Sequence, residues 1–140
     1  MGDVWFKRDN GLFAPYNLLQ IANVADVSGV IDIDKLYPGL VPVDATSLIL
    51  TVERGWLDIP SAGTGCVSVR VMPNGYDLQN VLDRAKTQEW IVNGVGLDVI
   101  AQDVRMPIDR FNRQFFWALQ SSAPPEEKKM AIIDLWGYGS

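Results

Sequence analysis

Histidine is absent from this chain of 140 residues, and cysteine occurs once, at Cys66. Without an imidazole there is no His-based general acid–base pair, no Ser-His-Asp triad and no imidazole metal ligand. A single cysteine excludes an internal disulfide and any Cys/His zinc spacing, and it suits a chain made in a reducing cytosol. No uninterrupted apolar run approaches the roughly 18–20 residues needed to span a bilayer. The opening Met1-Gly2-Asp3-Val4-Trp5-Phe6 lacks a charged-then-apolar secretion signal, and Phe6 stands where a myristoylation signal carries Ser or Thr. These absences predict a soluble protein with no membrane partner and no cofactor.

Positive charge is also scarce. Lys and Arg total 12 against 17 Asp and Glu, a net charge of −5. The cations are scattered, as Lys7 with Arg8, Arg54, Arg70, Arg110 with Arg113, and Lys128 with Lys129. Phosphate-backbone binding rests on clustered Lys and Arg, so nucleic acid is not an expected partner. Gly63-x-Gly65 lacks the third, helix-opening glycine of a dinucleotide fingerprint. No internal repeat or low-complexity tract interrupts the chain.

What is abundant is alternation. In Ala45–Glu53, Leu48, Leu50 and Val52 fall on one face of an extended strand, with Ser47, Ile49, Thr51 and Glu53 on the other. The same period of two returns over residues 66–72, 97–104, 114–120 and 130–136. Phe115, Trp117 and Leu119 load one face of the third of these with large apolar side chains that anchor a core. Strands at this spacing, punctuated by Gly, Pro and Asn turns, predict an all-β fold: an antiparallel, jelly-roll-like β-sandwich with at most one short helix. The helical stripe is Leu78, Val81, Leu82 and Ala85 within residues 77–90, with Asp77 as its cap. Asn93-Gly94 reads as a hairpin turn.

The first forty residues read as an N-terminal arm or hairpin and lead-in, and residues 41–140 as the sandwich domain. Val4–Lys7 and Leu12–Ala14 flank Asp9-Asn10-Gly11, a turn whose Asn and Gly both tolerate positive φ. Such a hairpin either adds a strand to its own sandwich or packs on a neighbouring subunit. Ile31 and Ile33 oppose Asp32 and Asp34 across an extended segment. Two carboxylates are too few for calcium, so no metal site is expected. Tyr37-Pro38-Gly39 marks a turn.

Val41-Pro42-Val43-Asp44-Ala45 leading into the strand to Val52, Val67–Gly75, and the closing Ile132-Ile133-Asp134-Leu135-Trp136-Gly137-Tyr138 together resemble the small β-sandwich structural modules of bacteriophage virions. Tail and head fibres, collar proteins and capsid decoration proteins carry such modules. The resemblance covers roughly residues 40–140. It implies a virion structural protein at the capsid, portal, neck or fibre, in contact with other virion proteins and oligomeric, with a trimer as one arrangement; it carries over no catalytic residues.

Trp and Tyr are enriched at protein interfaces, which makes Trp5, Phe6, Phe13, Trp136 and Tyr138 the candidate contact residues. A second reading is a carbohydrate-binding or receptor-binding module. Sugar sites set aromatic rings against pyranose faces among Asp, Asn and Arg, and the loops that fit are Trp56 with Asp58 and Tyr76 with Asp77. An enzyme is the least supported class. A glycosidase needs two carboxylates at a set separation, which sequence spacing does not supply.

Overall fold

The computed structural model describes residues 2–23, 25–56, 66–73, 90–95, 100–121 and 129–140. The strands are β1 (Asp3–Trp5), β2 (Tyr16–Asn23), β3 (Val27–Asp32), β4 (Ser47–Trp56), β5 (Cys66–Pro73), β6 (Trp90–Val95), β7 (Ile100–Pro107), β8 (Gln114–Ser121) and β9 (Lys129–Gly139), with one helix, α1 (Ile33–Leu36).

They form two antiparallel sheets. One runs β1-β9-β4-β7, with β2 also on β9, and the other runs β3-β8-β5-β6. The pairings are nested: β2 with β9, β3 with β8, β4 with β7, and β5 with β6. A long antiparallel hairpin, β2 to β5 going out and β6 to β9 returning, has been rolled so that β9 also meets β4 and β8 meets β5. That is the jelly-roll pattern of an eight-stranded double sheet. The all-β sandwich expected from alternation is the fold observed.

The inward faces are those the alternation picked out. Leu48, Leu50, Val52, Val69, Val71, Phe115, Leu119, Ile133 and Leu135 are fully buried. Burying each contributes on the order of 1.5–3 kcal/mol against leaving it in water. β4 lies between β9 and β7 and is an interior strand of its sheet, as its sequence suggested.

Three local expectations change, and a fourth lies outside the described residues. The strand expected over 97–104 is found as β7 at Ile100–Pro107, with 96–99 outside the described residues. Val104, Met106 and Ile108 continue its buried face. β7 is an edge strand, where Pro107 breaks no ladder. Asn93 and Gly94 are not a turn: they pair with Ser68 and Val67 inside β6, again an edge strand, where glycine is tolerated. Beyond Asp32, which still pairs with Gln114, the chain stops being extended, because Asp32 caps α1 and Ile33 and Asp34 turn helical. The Asp32 Oδ1 accepts the Asp34 and Lys35 amides at 3.1 and 3.3 Å, and the helix turns Ile33 into the core with no exposure. The helix expected near Asp77 falls on residues outside those described, apart from Trp90, which opens β6.

Residues 3–32 supply three strands. β1 and β2 lie end to end along the same side of β9, Trp5 opposite Gly137 and Tyr16 opposite Leu135. Between them the chain leaves the sheet as the expected hairpin, with Lys7 bridged to Phe13. Its turn differs in kind from the one read in the sequence. Gly11 alone has positive φ, at 81°, and the amides of Gly11 and Arg8 donate to Arg8 O and Leu12 O. This is a three-residue loop ending in a left-handed glycine.

Candidate functional site

The outer face of the β1-β9-β4-β7 sheet carries an open groove of about 410 Å³ lined by Trp5, Ile49, Thr51, Asp103, Arg105 and Trp136. Its shape begins with a β-bulge. Ile49 pairs with Gly137 and Leu50 with Leu135, so Trp136 is the extra residue of β9. A bulge re-aims the side chains around it. Trp136, next after inward Leu135, stays on the outer face, while Tyr138, beyond the bulge, turns inward to pack against the core.

Two contacts fix the groove. The Trp136 indole Nε1 donates to Thr51 Oγ1 at 2.9 Å, which holds the ring over β4. Gly137 lets β1 lie close: a Cβ there would stand 2.1 Å from Val4 O and 3.1 Å from Trp5 Cα. Trp5 sits beside Trp136 along the groove and is 46% exposed.

At one end Arg105 of β7 reaches across to Asp3 of β1. Arg105 Nη1 donates to Asp3 Oδ1 at 2.9 Å, and Nη2 pairs with Oδ2. The bond passes over Gly139, whose absent side chain leaves the room. It ties the first strand to the far edge of the sheet. The Arg105 hydrogen bond, more than its charge, holds the Asp3 carboxyl below the usual carboxylate range against the opposing pull of desolvation.

Of the expected contact residues, Trp5 and Trp136 come together in this groove. Phe6 and Tyr138 go elsewhere. Phe6 meets Tyr16 edge-on at 5.0 Å and Tyr138 at 6.0 Å, and Tyr16 meets Tyr37 at 5.0 Å. This cluster seals the sandwich edge, and the Tyr37 hydroxyl donates to Asn17 O at 2.7 Å. Phe13 lies on the hairpin beside Leu12, both exposed, with Lys7 Nζ 5.1 Å from its ring centroid. Trp56 ends β4, while Asp58, Tyr76 and Asp77 lie outside the described residues.

A second surface was not visible in the sequence. The connection from β7 to β8 displays Phe111 at 92% exposure. Asp109 Oδ1 accepts the amides of Phe111 and Asn112 at 2.7 and 2.8 Å, and Asp109 N donates to Asn112 O at 3.1 Å. The bare ring stands on a locked turn. Exposed Leu36 and Val43 belong to the β3–β4 connection at the same end of the sandwich. The Asp109-x-x-Asn112 frame around an aromatic was the available signal.

No protein-family model matches the chain, and no curated protein matches it. Among solved structures, a chain of Desmodium yellow mottle tymovirus aligns over 89% of this chain and 89% of its own, at 12% identity and a TM-score of 0.41.

Beneath Phe111, Arg113 joins the connections. Its guanidinium donates to Asp34 Oδ2 and Oδ1 at 2.7 and 3.1 Å, to Pro42 O at 2.9 Å and to Val41 O at 2.5 Å. Among the described residues no three His, Cys, Asp or Glu side chains gather to hold a metal ion, and no helix is long and apolar enough to cross a membrane.

Proposed function

We propose that this chain is a structural subunit of a virus particle, acting through protein–protein contacts and without a chemical step. The observation that carries the reading is the nested jelly-roll pairing, an architecture recurrent in viral capsid and lectin domains. The particle assignment rests on that architecture, an argument by analogy, and on the sequence resemblance to bacteriophage virion modules, which makes a phage particle the first place to look.

Phe111, Leu36 and Val43 supply the contact chemistry at one end. An exposed aromatic ring on a rigid turn loses little conformational entropy when a partner covers it. The hairpin with Leu12 and Phe13 is a second apolar projection, suited to a neighbouring copy. Self-association, with a trimer as one arrangement, follows from two such projections on one small sandwich.

Analytical ultracentrifugation of the purified chain, with electron microscopy of the particle it comes from, tests this reading. Oligomers that grow with concentration, and density for the sandwich on the particle, are expected. A chain that stays monomeric and is missing from the particle overturns it.

A further inference from the structure

We propose that the groove on the outer sheet face is a carbohydrate site, taking a neutral sugar with Trp5 and Trp136 against its C–H face and Asp103, Thr51 and Arg105 at its hydroxyls. A pyranose is apolar on its ring faces and polar at its rim, and the groove has the matching division. Two indoles and Ile49 form the apolar part, while a carboxylate, a hydroxyl and a guanidinium stand along β4 and β7. The volume of about 410 Å³ falls within the ~300–1,000 Å³ of small-molecule sites.

The polar groups are set for a hydroxyl-rich, uncharged ligand. Thr51 Oγ1 accepts the Trp136 N–H, so its own proton is left to donate outward. Asp103 is exposed, two residues from Arg105 on the same strand face, and offers a carboxylate acceptor. Arg105 is paired with Asp3, which cancels its charge and leaves N–H groups beyond those engaged. The groove carries one net negative charge from Asp103, which disfavours anions.

The site is also built in advance. The Thr51 bond fixes Trp136 and Gly137 admits Trp5 alongside, so little ordering remains for the ligand to drive. This inference is independent of the virion role. The groove and the Phe111 turn lie on different surfaces, one on a sheet face and the other in an end connection.

The test uses the full-length chain with glucose, galactose, mannose, N-acetylglucosamine and their neutral oligomers, read by saturation-transfer NMR and tryptophan fluorescence. At least one sugar is expected to bind saturably. Trp5→Ala and Asp103→Ala should each weaken it about tenfold or more, Trp5→Tyr should retain part of it, and Phe111→Ser should leave it unchanged. Circular dichroism checks folding; should Trp5→Ala misfold, the exposed Asp103→Ala decides. Silence across the panel at tens of millimolar sugar overturns the proposal, as does binding indifferent to Asp103→Ala. A fluorescence change that follows protein concentration instead of sugar also overturns it, because a second copy would then occupy the groove.

Discussion

Two arginines reach the interior by opposite routes. Arg113, only 9% exposed, gives its donors to Asp34 and to two backbone carbonyls, joining α1, the segment before β4 and the start of β8. Removing it orphans both carbonyls while half-exposed Asp34 turns to water, so a cost of about 1–3 kcal/mol is expected. Arg113→Ala should lower the urea midpoint accordingly, and Arg113→Lys should recover only part, because an ammonium cannot repeat the bidentate fork. Equal midpoints for the alanine variant and the parent would contradict this account. Arg54 differs. It follows Leu48, Leu50 and Val52 on the inward face of β4, is fully buried, and its three guanidinium nitrogens have no hydrogen-bond partner among the described residues. An uncompensated buried charge is costly, so Arg54→Met should stabilise the fold by about 1–4 kcal/mol. A lower melting temperature for the methionine variant would show that the charge is compensated.

At the scale of elements, β9 organises the outer face, and Gly137 governs how β1 joins it. Gly137→Ala places a methyl group on Val4 O, and the backbone cannot yield without lifting β1. A cost of about 1–3 kcal/mol is expected, with faster amide exchange at Val4 and Trp5 and unchanged exchange at Leu135; uniform loosening would mean that β1 is no separate unit. The Asp3–Arg105 bond adds a pH dependence to the same junction. Asp3 titrates below the ordinary value of about 3.9. Its contribution is therefore fully present above that value and is lost as pH falls through the lowered one. Asp32 shares the sign. Burial raises its pKa, but hydrogen bonds from Gln114 and from the Lys35 and Asp34 amides outweigh that and lower it. Asp3→Ala should melt below the parent near neutrality and converge with it in acid, once pH has fallen through the lowered Asp3 value; a gap that persists there would assign the effect to packing.

These junctions also mark where the sequence was legible. Period-two alternation found β4, β5 and β8, because a sandwich core fixes which face is buried. It failed where a neighbour changed the phase. The Trp136 bulge depends on how β4 meets β9, and no local residue announces it. Likewise Ile33 and Asp34 read as extended because the capping role of Asp32 depends on where β3 leaves β8. Asn93-Gly94 has turn chemistry, yet pairing with β5 holds it extended. The groove therefore could not be assembled from sequence: its residues come from β1, β4, β7 and β9 and meet only through register.

For the whole molecule, the decisive property is that stability and the proposed association draw on different residues. The core cluster lies between the sheets, whereas Phe111 touches solvent over nearly all its surface and its turn is held by Asp109 rather than by its ring. Phe111→Ser should therefore leave the melting temperature within the small range of surface substitutions, about ±0.5 kcal/mol. If the ring is an anchor, the same change should weaken subunit association by about 2 kcal/mol or more, a shift of more than tenfold in the midpoint of a dilution series. Asp109→Ala makes the complementary change: it keeps the ring and releases the turn, so it should weaken association less, through the entropy of reordering the loop. If both variants associate like the parent, the contact lies elsewhere, and the hairpin bearing Leu12 and Phe13 becomes the surface to alter. If Phe111→Ser lowers stability as much as association, the ring is packing on its own subunit, and this end of the jelly roll is a part of the fold, not a place for partners.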